Sequence, residues 1–528
     1  MPSRQEALNR LLQEAAAGKI WDVIVIGGGA TGLGAGVDAA SRGFSVLVLE
    51  GKDFAKGTSS RSTKLVHGGV RYLAQGNIAL VREALAERGR LARNASHLVR
   101  PLSFVIPTYR WFDRPFYWIG MVLYDFLAGA LGIGRSRWLS LAKTVAYLPT
   151  VATQGLKGGV QYHDAQFDDA RLAISLVRTL CKLGGNAVNY LPVTGLLKQS
   201  EGAGEQISGV TVEHPISGQS LNLNARTVIN ATGVWVDDVR RMDDPNAKAR
   251  LAPSQGVHLV VDESFHPSSH ALLIPKTEDG RVLFVVPWLG KTVLGTTDTP
   301  REDAPSEPKP LQEEIEFILG TAAKYLNKKP TRSDVLSVFV GLRPLVKPEK
   351  DDSGNTSGIS REHSIFVSKT GLITITGGKW TTYRSMAEEV IDKAISLFKL
   401  PKRQSKTADM LLHGATANKH TLLNFDSPID GLGSDRSVVN ALPGANEILH
   451  PRLNLSRAMV VFFVRNELAN SVEDVLARRH RSLFLDAKSA IEVAPLVADI
   501  LAEELQWADG KKDESLRSFL DLAKGYLL

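Results

Sequence analysis

This chain of 528 residues is predicted to fold as an α/β protein: a Rossmann-like dinucleotide-binding domain interleaved with an antiparallel-sheet domain, followed by a helical C-terminal domain. Three observations carry that expectation. Residues 21–50, WDVIVIGGGATGLGAGVDAASRGFSVLVLE, read as strand, glycine turn, helix and strand. Short β-rich runs broken by turns recur between residues 210 and 294. From about residue 456 the apolar residues fall at helical spacing, as in Val460, Val461, Phe463 and Val464, then Val475, Leu476 and Leu483.

In chain order, residues 1–20 make a polar amphipathic helix carrying Leu8, Leu11 and Leu12. They lack the apolar run of a secretory signal, and Glu6 and Glu14 count against a transit peptide. Residues 23–26 suit a strand buried on both faces, and Gly27, Gly29 and Gly32 supply the G-x-G-x-x-G spacing where it turns into a helix. Gly27 permits the tight turn, Gly29 admits a pyrophosphate against the helix N-terminus, and Gly32 lets helix and strand pack closely. Gly28, Ala30 and Thr31 complete the turn. The strand at 45–49 ends in Glu50, whose carboxylate can accept hydrogen bonds from an adenosine ribose.

Residues 58–73, TSSRSTKLVHGGVRYL, combine the hydroxyls of Thr58, Ser59, Ser60 and Ser62 with glycines and with Lys64, His67 and Arg71. They suit a loop passing a cofactor and a polar ligand; a solvated basic loop fits their composition equally well. Two later segments favour the cofactor. Residues 227–233, TVINATG, form a short apolar strand ending in Ala231, Thr232 and Gly233. Residues 372–384, LITITGGKWTTYR, form a strand that breaks at Gly377 and Gly378 into a helix whose N-terminal amides can face a flavin or an anion.

Asn77 is placed to cap a helix bearing Leu80, Val81, Ala84, Leu85 and Leu91. Residues 117–134, YWIGMVLYDFLAGALGIG, fall short of the ~20 apolar residues of a bilayer span, and Asp125 interrupts them at a cost of ~2.5–3.5 kcal/mol. Ile119, Val122, Leu123, Phe126, Leu127, Ala130 and Leu131 still form a helical stripe, flanked by Arg110, Arg114, Arg135 and Arg137 and by Trp111, Trp118 and Trp138. A helix lying at a lipid interface and a helix packed beneath a substrate domain both fit. Val210, Val212, Leu221 and the runs 259–261, 272–274, 283–286 and 293–294 supply strands of an antiparallel sheet roofing the nucleotide site. Residues 400–410, LPKRQSKTADM, read as an exposed basic linker. Arg478, Arg479, His480 and Arg481 read as a solvated charge run.

Composition bounds the partners. The net charge of +7 helps attract an anionic substrate or an acidic membrane surface and equally fits a mildly basic soluble protein. A single cysteine, Cys181 in LVRTLCKLGG, excludes an intramolecular disulfide framework and a clustered-cysteine metal site. It fits a packed core thiol in a reducing, cytosol-facing location. No metal is expected. No basic face with interleaved aromatics occurs outside 110–138, so no nucleic-acid partner is expected.

The segments VIVIGGGATGLG, TSSRSTKLVHGGVRYL, FDDARL (167–172), NATG (230–233), VVPW (285–288), GTTD (295–298), GLRPL (341–345) and GGKWTTYR (377–384) carry a family resemblance. In that order they resemble the FAD-dependent, quinone-linked glycerol-3-phosphate dehydrogenases, within the glycine oxidase and D-amino-acid oxidase-like flavoproteins. The resemblance covers nearly the whole chain, and HGGVRYL, GLRPL and GGKWTTYR together are specific to that family. It implies FAD as cofactor, held by Gly27–Gly32, Glu50, Thr58, Ser59, Ser60, Ser62, Lys64, His67, Gly68, Val193, Ala231, Thr232, Gly233, Gly377, Gly378, Lys379, Trp380 and Thr381. It implies a pocket for glycerol 3-phosphate made by Arg71, Tyr72, Arg343, Arg361 and Lys379, where arginine forks match phosphate oxygens bidentately.

His67 is the expected general base, with Lys379 or water as the alternative and Arg343 as a catalytic clamp. The C2 hydride would pass to the flavin, giving dihydroxyacetone phosphate, and a membrane quinone would take the electrons from a protein peripheral on the inner, cytoplasmic face of the cell membrane. A homodimer stays open. The FAD-binding domain is expected mainly at 21–110, 155–250 and 335–400, the substrate domain at 111–154 and 251–334, and the helical domain at 401–528. A glycerophosphate oxidase using oxygen is the near alternative, disfavoured because the interval from Arg343 to Arg361 leaves no room for that relative's long insertion. A flavin-dependent RNA-modifying protein is the distant one, disfavoured by the charge pattern.

Overall fold

The strands Ile20–Ile26 and Val46–Leu49 pair in parallel, with Val23 opposite Val46 and Ile26 opposite Leu49. Each is a continuous apolar run because each serves two cores: Val23, Val25, Val46 and Val48 face one, and Ile24, Ile26, Leu47 and Leu49 face the other. The structure, a computed structural model, describes residues 3–528 other than 70–72, 74–75, 202–203, 214–217, 278–279, 348–361 and 417–426. Among these residues the first sheet runs His363–Val367, Ile373–Gly377, Ser220–Asn230, Ile20–Ile26, Val46–Leu49, Asn186–Val188. It is parallel except for its His363–Val367 edge, and the strands Val193–Glu201 and Gly204–Glu213 extend it as an antiparallel ribbon. Helices Ala30–Ser41, Asp169–Lys182 and Tyr383–Leu397 cover one face. The helix Arg4–Ala16, started by a Ser3/Glu6 capping box, buries Leu8 and Leu11 in the core on the other face.

The second sheet is built around the long pair Leu251–Asp262 and Val335–Val346 and continues through Lys291–Gly295, Leu283–Trp288, Ala271–Ile274, Val99–Thr108 and Gly158–Phe167 to Leu65–Val66. It is antiparallel apart from Ala271–Ile274 against Val99–Thr108. This is the expected roof for the runs 259–261, 272–274, 283–286 and 293–294, but Val210, Val212 and Leu221 correct the reading: they lie on Gly204–Glu213 and Ser220–Asn230 of the nucleotide sheet, because Ser220–Asn230 pairs in parallel with Ile20–Ile26 and carries the ribbon with it. Because Leu65–Val66 belongs to the roof and Val46–Leu49 to the nucleotide sheet, the chain between them passes through the junction of the two sheets, where the site forms.

Asn77 caps the helix Ile78–Asn94, its side chain accepting from the Leu80 amide at 3.2 Å. Helix Asp113–Ala128 answers the question its stripe leaves open. It turns Met121, Tyr124 and Ala128 inward and leaves Ile119 63% and Phe126 80% exposed, with Val122 and Leu123 exposed beside them. The stripe is therefore surface, not a face packed beneath a domain. Asp125 accepts from the Ser136 amide instead of interrupting the stripe. Among the described residues no helix is long and apolar enough to cross a membrane.

At the C-terminal end, helices Arg457–Glu467, Ala487–Leu505 and Lys511–Ala523 share one core with Val260, Trp288, Val293 and Phe339 of the roof. The charge run corrects the sequence reading: Arg478, Arg479, His480 and Arg481 are all buried. Arg478 and Arg479 both bond Asp53, which follows the second strand of the nucleotide sheet, while Arg481 bonds the Ser60 carbonyl at 2.7 Å and Asp169 at 3.1 Å. The three arginines look solvated in sequence because Asp53 and Asp169 lie hundreds of residues away, and burial lowers His480 to about 4, so it is neutral. Cys181 packs against the main core, and burial pushes its thiol up to about 11, as befits an inert thiol.

Candidate active site

Gly27 ends the first strand with a positive φ of 111°, and a Cβ there would stand 2.6 Å from the Ala231 carbonyl oxygen. A Cβ on Gly32 would lie 1.9 Å from the Gly27 oxygen. Neither position accepts a side chain, so the turn can be drawn tight against the neighbouring strand end. A cleft of about 370 Å³ opens there, at the carboxyl ends of the parallel strands, the usual ligand position in such sheets. The turn contributes Gly27, Gly29, Ala30 and Thr31 to its wall, and the following segments contribute Glu50, Thr58, Ser59 and Val193. The strand ends supply Ala231, Thr232 and Gly233 on one side and Gly377, Gly378, Lys379 and Trp380 on the other.

Local hydrogen bonds hold these walls. Both Glu50 oxygens accept backbone amides, from Gly28 at 2.7 Å and Lys52 at 2.8 Å. Burial raises the Glu50 carboxyl, and those two amides oppose the rise. Asn230 is fully buried; its amide donates to the Val236 carbonyl and its oxygen accepts from the Thr232 hydroxyl, which fixes the small-residue turn. Trp380 Nε1 donates to the Ser59 carbonyl at 2.9 Å, tying the 58–60 segment to the last strand end.

Of the other expected cofactor residues, Gly28 and Gly32 sit behind the turn, and Ser62, His67 and Thr381 line a second cavity instead. That cavity, about 190 Å³, adjoins the first through Thr58, Gly378, Lys379 and Trp380 and also holds Arg343. Arg343 is held in an ion pair with Asp298 at 3.1 Å and donates to the Thr297 carbonyl at 2.9 Å. Gly256 makes room for it, since a Cβ there would meet the guanidinium at 2.4 Å. A third cavity of about 320 Å³ continues from the second through Thr63, His67, Phe284 and Arg343. Arg71, Tyr72 and Arg361 lie outside the described residues.

Arg61, His258 and Glu362 are among the wall residues that escape the sequence reading. His258 Nε2 pairs with the Thr63 hydroxyl at 2.9 Å, and its ring stacks on Phe339 at 4.7 Å. Burial first, then the nearby Lys64 and Arg343 charges, hold this imidazole well below its ordinary value, so it stays neutral. The alternation of Ser254, Gly256 and His258 on one strand face is the signal that points to it.

Lys64 stands apart from the expected cofactor set, as do Ser60 and Gly68. Lys64 is fully buried, donating to Asp169 at 2.7 Å and to the Ser60 carbonyl at 2.8 Å, between the rings of Trp288, Phe339 and Phe484. Burial pulls its ammonium down to about 7, with Asp169 opposing and Arg481 reinforcing the fall. It holds the loop from beneath and does not reach the cleft.

A glycine-turned nucleotide cleft that opens at its strand ends into an arginine-bearing cavity under an antiparallel roof defines a dinucleotide-dependent oxidoreductase. The family model for FAD-dependent oxidoreductases matches residues 22–384, and the model for the C-terminal domain of α-glycerophosphate oxidase matches 368–512. The chain is 38% identical to human mitochondrial glycerol-3-phosphate dehydrogenase over 560 residues, covering 99% of this chain and 76% of that one. It is 37% identical to the mitochondrial enzyme of Arabidopsis thaliana, covering 99% and 89%. The glycerol-3-phosphate dehydrogenase of Bacillus halodurans, solved in complex with FAD, superposes with a TM-score of 0.79 at 27% identity, covering 100% of this chain and 98% of that one. The chain belongs to the FAD-dependent glycerol-3-phosphate dehydrogenase family, and its cofactor is FAD. The cradle fits the group: a turn that excludes Cβ atoms, a helix N-terminus behind it, and an acid at the end of the second strand.

Proposed function

We propose that this protein oxidises sn-glycerol 3-phosphate to dihydroxyacetone phosphate and passes the electrons to a membrane quinone. One observation carries the substrate reading: His67, Arg343 and Lys379 share a cavity that opens directly onto the nucleotide cleft. Bound FAD would supply the two-electron acceptor for the C2 hydrogen. Arg343 and Lys379, with Arg71, Tyr72 and Arg361, would bind the phosphate and orient C2, and His67 would take the C2 hydroxyl proton as the carbonyl forms. The test is anaerobic bleaching of the flavin absorbance by a panel of polyol phosphates and hydroxy acids; glycerol 3-phosphate should bleach it, and failure to do so overturns the substrate. Turnover with oxygen as fast as with a quinone analogue would point instead to an oxidase.

Arg343→Ala should retain FAD and lose substrate capture. Losing a charged hydrogen bond costs ~1.5–3 kcal/mol, so kcat/KM should fall by roughly ten- to a hundredfold. Steady-state kinetics of the fully flavinated variant check this, and near-native values would remove Arg343 from the clamp.

The exposed stripe of helix Asp113–Ala128 supports a peripheral membrane contact. Trp111, Trp118 and Trp138 are exposed around it, and Arg110, Arg135 and Arg137 are exposed at its borders, the pattern of apolar side chains entering an interface while cations meet anionic headgroups. The protein should sediment with anionic vesicles and be partly released by salt. Changing Trp118 and Phe126 to Ser should weaken sedimentation and quinone reduction severalfold while turnover with a soluble dye persists. Equal loss of both activities would refute the contact.

A further inference from the structure

The main chain at His67 is held from two sides, by Thr381 of the cavity wall and by Tyr124 from outside that wall. The Thr381 hydroxyl bonds both the amide and the carbonyl of His67, each at 3.3 Å. On the other side, the Gly68 amide donates to the Tyr124 phenol oxygen at 2.7 Å. Tyr124 belongs to helix Asp113–Ala128, on the side opposite its exposed stripe. The phenol in turn donates to Asp164, at 2.9 Å and 3.1 Å to its two oxygens, and Asp164 accepts from Arg88 at 2.7 Å. All three side chains are buried. Burial, followed by the Asp164 charge, raises the Tyr124 phenol well above its ordinary value, so it keeps its proton. With the proton committed to Asp164, an oxygen lone pair is left for the Gly68 amide. Glycine at 68 is part of the fit, because a Cβ there would stand 2.6 Å from the phenol oxygen.

We propose that Tyr124 is a positioning residue of the active site, holding His67 in place through the His67–Gly68 peptide. Thr381 fixes that peptide from the FAD side and Tyr124 from the helix that bears the apolar stripe. A phenylalanine fills the same space but leaves the Gly68 amide and the Asp164 carboxylate without the hydroxyl, so the peptide keeps only its Thr381 bond and is held on one side alone. The effect falls first on the placement of His67, because Arg343 lies on strand Val335–Val346 and Lys379 follows strand Ile373–Gly377, away from this peptide.

The proposal rests on the reading that His67 acts on glycerol 3-phosphate, and the experiment separates the two. Flavinated full-length wild type, Tyr124→Phe and Met121→Leu are mixed anaerobically with glycerol 3-phosphate. Small misplacements of a catalytic group have large kinetic effects, so Tyr124→Phe should lower the limiting bleaching rate roughly tenfold. Flavin content should change less than about twofold, and the limiting rate should fall by more than the half-saturating substrate concentration rises. Met121→Leu, on the same buried face but without the hydroxyl, should match wild type. A wild-type limiting rate in Tyr124→Phe, or equal slowing in both variants, overturns the proposal. Wild-type protein that glycerol 3-phosphate does not bleach overturns the substrate reading, and the clamp is then judged from hydrogen exchange of the Gly68 amide. That amide should be strongly protected in wild type and Met121→Leu. Rapid exchange in wild type overturns the clamp even if Tyr124→Phe does not fold.

Discussion

Replacement of His67 by Gln should leave FAD bound and slow anaerobic flavin reduction by ~10²- to 10⁴-fold, the usual cost of losing a general base. The amide of Gln can still hydrogen-bond a hydroxyl, but it cannot take a proton near neutral pH. The main-chain bonds of residue 67 to Thr381 survive the change, so the loss would fall on chemistry and not on the loop. Stopped-flow reduction across a pH series is the measurement. An unchanged rate and profile would move the base elsewhere in the cavity, to Lys379 or to the neutral imidazole of His258.

Asp53→Ala should be strongly destabilising. The substitution leaves the buried Arg479 with no carboxylate and takes one of three from Arg478, which keeps Glu473 and Asp474; breaking a buried pair by removing one partner costs ~3–5 kcal/mol. Denaturant midpoints of the two proteins check this, and a difference under about 1 kcal/mol would show that the network rearranges. The pH dependence carries a sign. Burial acts to raise the Asp53 and Glu473 carboxyls, but Arg479 and Arg478 hold Asp53 well below the usual range, and Arg478 and Lys56 bring Glu473 to about 2. Carboxyls depressed on folding contribute stability that is complete above the unfolded carboxylate value near 4 and is lost as pH falls through the folded one. The wild type should therefore weaken below about pH 4, and Asp53→Ala should show a shallower decline.

The nucleotide cleft was legible because its determinants are local: within residues 21–50 the turn, the strand alternation and the terminal acid all follow one another. Much of the roof was legible too, as short β-rich runs broken by turns, although Val210, Val212 and Leu221 belong to the nucleotide sheet. Pairing across distance was not. Nothing near Arg478–Arg481 indicates that Asp53 and Asp169 lie against them, so three arginines and a neutral histidine that read as a solvated charge run are interior. Lys64 sits in a motif with Thr58 and Ser59, which line the cleft, yet the strand that starts at Leu65 carries it beneath the loop. His258 was missed because an isolated histidine in an apolar strand reads as core until the facing strand brings Arg343 beside it. The exposure of Ile119 and Phe126 was likewise undecidable from periodicity, which gives a stripe but not which way the helix rolls.

The order of strands in the nucleotide sheet constrains how the chain can assemble. Ile20–Ile26 sits between Val46–Leu49 and Ser220–Asn230, and the latter is joined by Ile373–Gly377. During synthesis the first two strands thus wait for a neighbour some 200 residues away, and that neighbour waits for another 140. Such non-local pairing carries a large loop-closure entropy and folds slowly. The early strands, apolar on both faces, must remain shielded while the rest of the chain emerges, which makes this sheet the part most dependent on chaperones and the first to aggregate when translation stalls before residue 377.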